Sequence, residues 1–200
     1  MKKGTGKTGR PISFDKEAAL EAAMLLFWER GYEGTSMADL TQAMGLNPSS
    51  IYAAFGDKHA LFSLAAERYM EKRAMYAGKA LEEPTLDKFI RALFSNTVAF
   101  LTTPGHPPTC MTLAGAAGCS LDATPARDLM TEMRKQNQVA LRKRLLKARK
   151  SGEMLKDINL DDYARYLSSI IAGLSIQAAN GSTKEELKRT AKMALRYLGY

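Results

Sequence analysis

Apolar residues recur along this chain three and four positions apart, which is the spacing of one face of a helix. No stretch alternates apolar and polar side chains as a half-buried strand does, and no internal repeat is present. The pattern therefore predicts an all-α protein of about nine helices. The expected helices cover approximately residues 15–30, 36–44, 47–55, 57–80, 86–101, 109–117, 124–150, 160–179 and 182–198.

Two of these helices are very short, and a tight corner separates them. Ser36 and Asp39 have the spacing of a capping box, which predicts a helix start, and Gly45 is expected to end that helix. Asn47 as N-cap and Pro48 at the first helical position predict the start of the second helix. Because a helix of two turns is marginal in water, neighbouring helices must hold both.

The second short helix has an unusual outer face. Ile51 and Phe55 form a narrow apolar side together with Ala54, so the remaining side chains point mostly outward. Those outward residues are Ser49, Ser50, Tyr52 and Ala53. Hydroxyl and phenol groups donate to phosphate oxygens and base edges, and small residues allow close approach. Two short helices, the second with such a face, predict a helix-turn-helix that binds DNA.

The chain divides into three expected regions. Residues 1–12 are Gly-rich, polar and cationic, which is typical of a flexible arm. Residues 13–60 form the predicted DNA-binding domain, with Trp28 in its core, and residues 61–200 form a larger helical domain. Three prolines and a glycine in 103–108 predict a loop. Ser182 with Glu185 predicts a capping box at the start of the final helix.

The 200 residues carry a net charge of +8, which favours a polyanionic partner. The arm has four basic and no acidic residues up to position 10, and Arg10 is its best candidate for entering the minor groove. The alternative for the arm is a solvated tail. Residues 11–60 hold three basic and seven acidic residues, so the helix-turn-helix is not basic by itself. Lys58 begins a helix, where it suits a phosphate clamp.

A second basic run, over residues 134–150, has eight basic and no acidic residues. It could contact DNA or form a solvated helix face, and the sequence leaves both open. The sequence shows no secretory signal and no apolar run long enough to span a bilayer, so the expected compartment is the cytoplasm. It shows no metal-spaced cluster, phosphate-binding glycine loop or nucleophile motif, so we expect neither an enzyme nor a cofactor.

The first third of the chain resembles the TetR family of bacterial transcriptional regulators, within its broad AcrR-like branch. The residues that carry this resemblance are Phe27, Gly31, Tyr32, Thr35, Ser36, Met37, Asp39, Leu40, Ala43, Met44, Gly45, Ser49, Ser50, Ile51, Tyr52, Phe55, Gly56, Lys58, Leu61 and Phe62. Beyond residue 66 the likeness is one of helix number and order.

The resemblance implies a homodimer that reads a palindromic operator, with the helices near 160–180 and 183–198 forming a four-helix bundle between the two chains. It implies that the recognition helix, the corner before it and the helix starts on either side contact DNA or support the contact. These residues are Thr35, Ser36, Asn47, Ser49, Ser50, Tyr52 and Lys58. Because the recognition helix lacks Arg, Gln and Lys, DNA shape and two-fold spacing would supply much of the specificity.

The resemblance also implies that the larger domain holds a small-molecule effector whose binding releases DNA, which makes the protein a repressor in the expected case. Candidate lining residues, each equally plausible as core, are Phe94, Val98, Cys110, Met111, Met133 and Asn137. Asn137 is the polar residue on an otherwise apolar stripe. An alternative is a sensor that uses Cys110 and Cys119, either as thiols that pair within or between chains or as ligands of a soft metal together with His106. A non-specific DNA-packaging protein is a further alternative.

Overall fold

The computed structural model describes residues 14–114 and 124–199, without the side chains of 73–77 and 114. These residues form helices and no strands, which confirms the all-α prediction for the described part. The helices are α1 (Lys16–Arg30), α2 (Met37–Met44), α3 (Pro48–Phe55), α4 (Lys58–Leu81), α5 (Leu86–Leu101), α6 (Met111–Ala114), α7 (Thr124–Lys150), α8 (Leu160–Ala179) and α9 (Lys184–Tyr197).

Side-chain caps begin the helices of the first unit, as the sequence predicted. Ser36 and Asp39 close a capping box at α2, and Asn47 accepts a hydrogen bond of 2.8 Å from the backbone N–H of Ser50 at α3. Gly45 ends α2 with a φ of 63°, a left-handed conformation that suits glycine. The local sequence therefore determines where each short helix begins and ends.

The predicted cap of the final helix is wrong by one residue. Thr183 and Glu186, not Ser182 and Glu185, form the capping box of α9. Both pairs have the required spacing, so sequence alone could not separate them. Ser182 instead donates its backbone N–H to the carbonyl of Gln177, at 3.0 Å, and so closes the end of α8.

Aromatic side chains hold α1 against α4. Phe27 meets the ring of Phe62 edge to face at 5.1 Å, and Trp28 meets Tyr69 in the same way at 4.8 Å. All four side chains are buried, which confirms Trp28 as a core residue. Because Tyr69 lies in the middle of α4, this long helix belongs to the core of the first unit and also leads into the larger domain.

Ion pairs reinforce the same contact between α1 and α4. Arg68 bonds both Glu17 and Glu21, the latter at 2.7 Å, and Lys72 also bonds Glu21. Arg30 pairs with Asp39 at 3.1 Å, between α1 and α2. Three of the acidic residues that made the helix-turn-helix region appear acidic in sequence are thus paired with cations, two of them with cations from α4.

A loop of the larger domain docks on the first unit. The predicted helix over 109–117 begins later, at Met111, and its residues 115–117 lie outside the described residues. Thr109 stays in the loop because its carbonyl accepts a hydrogen bond of 3.0 Å from the indole Nε1 of Trp28. The ring of His106 stacks on Trp28, with centroids 4.5 Å apart. The predicted loop over 103–108 is therefore an ordered contact between the two units.

Helices α5, α7, α8 and α9 build the core of the larger domain around Phe89, Phe94, Leu145 and Leu167. Arg144 of α7 is also buried, where it lies over the ring of Phe89 and donates 2.9 Å to the carbonyl of Glu83. That part of the basic run is therefore internal. Among the described helices, none combines the length and apolar character needed to cross a bilayer.

Candidate nucleic-acid interface and effector cavity

Helix α3 presents a small polar surface. Its buried side consists of Ile51 and Phe55, which are 0% and 4% exposed. On the opposite side Ser49 and Ala53 are exposed, and Tyr52 is an exposed large side chain at 51%. The exposed phenol of Tyr52 adds nothing to the core. Because its hydroxyl can donate a hydrogen bond, this surface suits a partner with acceptor groups.

The corner before α3 fixes the orientation of that surface. The side-chain oxygen of Asn47 accepts from the hydroxyl of Ser49 and from the backbone N–H of Ser50, both at 2.8 Å. Asn47 therefore supports the corner, and its carboxamide holds Ser49 in place. Ser50 is half-buried rather than fully outward. Ser49 and Tyr52 are consequently the two residues of α3 whose polar atoms are best placed to meet DNA.

The structure gives the hydroxyl of Thr35 a different partner from the predicted phosphate. Its side chain is 0% exposed, and its hydroxyl donates 2.7 Å to the carbonyl of Gly31 at the end of α1. The hydroxyl is committed to the corner between α1 and α2, because a buried donor needs a partner. The side chain of Thr35 therefore does not reach the exposed surface that carries Ser49 and Tyr52.

Ser36 is exposed at the start of α2, but its hydroxyl also has a partner. It bonds the carboxylate of Asp39, which in turn accepts from the backbone N–H of Ser36 at 2.8 Å. These hydrogen bonds, followed by the charge of Arg30, hold the pKa of Asp39 below its ordinary value. The hydroxyl hydrogen of Ser36 is thus already donated, and its oxygen accepts from the backbone N–H of Asp39 at 3.1 Å, so in this structure Ser36 caps α2.

Lys58 lies at the first position of α4, where unpaired N–H groups favour an anion. Its ammonium group is 4.3 Å from the centroid of the Tyr32 ring. Burial lowers the pKa of Lys58, and the nearby carboxylate of Glu33 acts in the opposite direction. The aromatic ring orients this half-buried cation at the helix start, an arrangement well suited to a phosphate oxygen.

The chain enters the described structure beside the recognition helix. The ring of Phe14 lies 6.3 Å from the ring of Phe55 at the end of α3, and the ammonium of Lys16 lies 5.3 Å from the same ring. The predicted arm and Arg10 lie outside the described residues. Phe14 itself, the first described residue, packs beside α3. Sequence reasoning missed Lys16, which adds a positive charge at this point.

The larger domain contains a cavity of about 370 Å³ that is bounded by α7 and α8 and by the start of α6. Two of the predicted lining residues, Cys110 and Asn137, do line it. The sequence missed Arg134, Gln138 and Arg165, which also line it. Arg134 lies three residues before Asn137 on α7, so the shared helix face was a usable signal.

The other four predicted lining residues lie elsewhere. Phe94 and Val98 border a separate groove of about 330 Å³ between α5 and α9. Met111 and Met133 are 2% and 6% exposed and line neither space. These side chains have the apolar character of cavity walls, but sequence alone does not show which buried positions face an empty space.

The thiol alternative has one of its two residues within the described part. Cys110 is buried, where its sulfur accepts from the Tyr69 hydroxyl at 3.3 Å and lies 3.1 Å from the hydroxyl of Thr112. Cys119 lies outside the described residues. His106 turns its Nδ1 to the carbonyl of Pro107 at 2.9 Å. Among described side chains, no group of three or more His, Cys, Asp or Glu could hold a metal ion.

The fold and the capped α2–corner–α3 unit define a helix-turn-helix protein. Residues 19–65 match a family model described as bacterial regulatory proteins of the tetR family, and residues 86–194 match one described as a tetracyclin repressor-like C-terminal domain. The second match alone spans more than half of the chain. The chain belongs to the TetR family of transcriptional regulators.

Individual relatives agree along nearly the whole length. The chain is 31% identical over 190 residues to the HTH-type transcriptional repressor ComR of Escherichia coli (strain K12), a match that covers 94% of this chain and 90% of ComR. It is 28% identical over 194 residues to the repressor BdcR of the same organism, covering 96% and 93%.

A solved relative has almost the same fold. It is a cysteine mutant of the TetR family transcriptional regulator CifR complexed with 26-bp double-strand operator DNA. The TM-score is 0.90 at 33% identity, and the match covers 94% of this chain and 98% of CifR.

Proposed function

We propose that this protein is a repressor that binds a palindromic operator as a homodimer and leaves it when a small molecule occupies the cavity. The observation that carries the DNA-binding part is the exposed face of α3, whose orientation Asn47 and the buried Ile51 fix. The likeness to CifR, which is bound to operator DNA in its solved structure, supports the same conclusion. Such a regulator would act in the cytoplasm, where its DNA is.

The contacts divide into two groups in this proposal. Tyr52 and Lys58 hold phosphates, while Ser49 approaches base edges at the centre of the major groove. The arm, with Arg10, follows the backbone or enters the minor groove, and the support for this is that Phe14, two residues after the arm in sequence, lies against Phe55 of α3. Specificity then depends on the spacing of two such units and on DNA shape, because α3 has no Arg, Gln or Lys.

Exposed apolar side chains on the last two helices support the homodimer. Tyr166 and Ile176 of α8 are 49% and 56% exposed, and Met193 and Tyr197 of α9 are 59% and 81% exposed. Large exposed apolar side chains that share two packed helices are typical of a protein interface. Two copies of this pair of helices can form a four-helix bundle.

The release step is supported by the position of the cavity. Helix α8 lines the cavity through Ser168 and carries the proposed dimer surface through Tyr166. On the other side Cys110 also lines the cavity, and the adjacent Thr109 accepts the hydrogen bond from Trp28 in the first unit. A ligand that shifts either wall therefore acts on the spacing of the two DNA-binding units.

Footprinting of the purified protein on the DNA flanking its own gene tests this proposal. We expect a protected palindrome, and we expect operator affinity to exceed that for unrelated duplex by at least about a thousandfold at fixed salt. A protein in the packaging class would bind every duplex alike, and that result would contradict the proposal. Analytical ultracentrifugation should show a dimer that Tyr166→Glu together with Ile176→Glu dissociates, because buried unpaired charges are costly.

A further inference from the structure

Polar groups that the fold does not use point to the chemistry of the cavity ligand. Asn137 lies on the stripe of α7 that is otherwise apolar, and it lines the cavity. Among the described residues its carboxamide has no hydrogen-bond partner. Asn137 is half-buried at this wall, so its carboxamide is free to donate to and accept from a polar atom of a bound ligand.

Arg134 lies one helical turn before Asn137 and lines the same cavity. Its guanidinium donates to the backbone carbonyl of Thr112 and, at 2.8 Å, to the hydroxyl of Thr131. These bonds hold the group in place and leave three of its five N–H donors without a partner in the described part of the chain. No described carboxylate forms an ion pair with it.

The charge in the cavity is positive. The lining includes Arg134 and Arg165 and, within the described residues, no Asp or Glu. Arg165 already has a counterion, because it pairs with Asp162 at 2.6 Å, and its side chain is 63% exposed. Arg134 is therefore the lining cation whose charge is not balanced by a described neighbour.

The larger side chains of the remaining wall are mainly apolar, and the space is small. The apolar ones include Leu81, Leu93, Leu113, Leu141 and Ile171, and the uncharged polar ones are Thr112, Gln138, Ser168 and Ser169. The cavity volume of about 370 Å³ lies at the small end of ligand pockets, which run from about 300 to 1,000 Å³. The space therefore suits a compact hydrocarbon or aromatic body with one polar end.

We propose that this cavity binds an apolar monocarboxylate whose carboxylate pairs with Arg134 and accepts from the amide of Asn137. Guanidinium and carboxylate match in a two-bond geometry, which is stronger than a neutral hydrogen bond and selects the anion. The leucine-rich wall takes the hydrocarbon part. The identity of this ligand as the effector rests on the proposed function, but its binding to the cavity does not.

Calorimetric titration of the full-length protein with matched pairs of compounds tests the proposal. The probes are the acids hexanoate, octanoate, decanoate and 4-phenylbutyrate and the primary amide of each. We expect at least one acid to bind at least about tenfold more tightly than its own amide. Failure of all four acids to bind, or equal binding of every acid and its amide, would overturn the proposal.

Two charge variants on α7 test whether Arg134 is responsible for the preference for acid over amide. Arg134→Met should remove the preference for the acid and leave amide binding intact, which also shows that the cavity still folds. Lys135→Met is the matched control, because it removes one positive charge from the adjacent, exposed position outside the cavity. It should keep the full preference. A preference that survives Arg134→Met, or that Lys135→Met removes, would contradict the assignment.

Arg134→Lys guards against a folding defect, since Arg134 also ties Thr112 to α7. Lysine keeps the charge but not the planar fork, so part of the acid preference should remain.

Operator titration in the presence of the bound acid separates the two proposals. An acid that binds without weakening operator affinity would refute the release step alone. A protein that binds its operator but none of the acids would refute the ligand class alone.

Discussion

Thr35→Val offers a direct test of where the hydroxyl of Thr35 is used. The substitution keeps the shape of the side chain and removes one buried hydrogen bond, the 2.7 Å bond to the carbonyl of Gly31. Loss of such a bond leaves a buried acceptor unsatisfied and costs about 1–3 kcal/mol. For a chain of 200 residues, each kcal/mol corresponds to a fall of about 2–4 °C in Tm.

Urea unfolding and operator binding should then distinguish a structural hydrogen bond of Thr35 from a contact between its hydroxyl and a DNA phosphate. We expect Thr35→Val to lower the free energy of unfolding by about 1–3 kcal/mol and to leave operator Kd within about twofold where the protein is folded. A hydroxyl that bonded a phosphate would instead be worth about 1.5–3 kcal/mol of binding, or roughly tenfold or more in Kd. A tenfold weaker operator complex with unchanged stability would refute the structural role.

Thr103→Val is the matched control for that experiment. Its hydroxyl donates to the carbonyl of Ala99 at 2.7 Å, the same length as the bond of Thr35, but the bond is exposed to solvent. Water can replace an exposed bond, so this variant should lose less than about 0.5 kcal/mol. Equal losses in the two variants would mean that burial does not determine the cost.

Three further predictions concern the proposed DNA-binding surface, the arm, and the ion pairs between α1 and α4. Lys58→Met should reduce the slope of log K against log salt by about 1.8 for the dimer, because each protomer loses one phosphate contact worth about 0.9, and Tyr52→Phe should weaken binding to all duplexes; unchanged affinity in both would remove them from the interface. Deletion of residues 1–8 should also flatten the salt dependence, whereas an unchanged slope would make the arm a solvated tail. Burial disfavours the charged form of Glu21, but hydrogen bonds and charges from Lys72 and Arg68 outweigh it and lower its pKa. Stability from Glu21 is therefore present at neutral pH and lost as pH falls through that lowered pKa, and Glu21→Gln should flatten the acid limb of stability against pH.

The sequence predicted the elements whose causes are local. The caps at Ser36 and Asn47 and the stops at Gly45 depend on residues within four positions, so the limits of α2 and α3 followed directly. Local rules failed where two adjacent residues satisfied the same rule, as Ser182 and Thr183 did. The all-α class followed from helical spacing over the whole chain, which small errors in helix ends do not disturb.

The sequence could not predict features that arise from contacts between distant positions. Arg68 neutralises carboxylates 47 and 51 residues away, so a charge count over residues 11–60 overstated the acidity of the DNA-binding unit. The burial of Thr35 depends on how α1 meets α2. Likewise, periodicity placed Asn137 on the apolar stripe, but only the packing of α7 against α8 shows that this part of the stripe borders a cavity.

Trp28 gives the protein a built-in optical probe. It is the only tryptophan in the chain, and it lies where the loop of the larger domain meets α1, with its indole N–H on Thr109 and its ring against His106. Indole emission responds to the hydrogen bonding and packing of the ring. Intrinsic fluorescence therefore reports from a single place, without any label, on the contact through which the cavity and the DNA-binding unit would influence each other. A ligand titration that follows this emission would show whether binding in the cavity changes the contact between Trp28 and the loop.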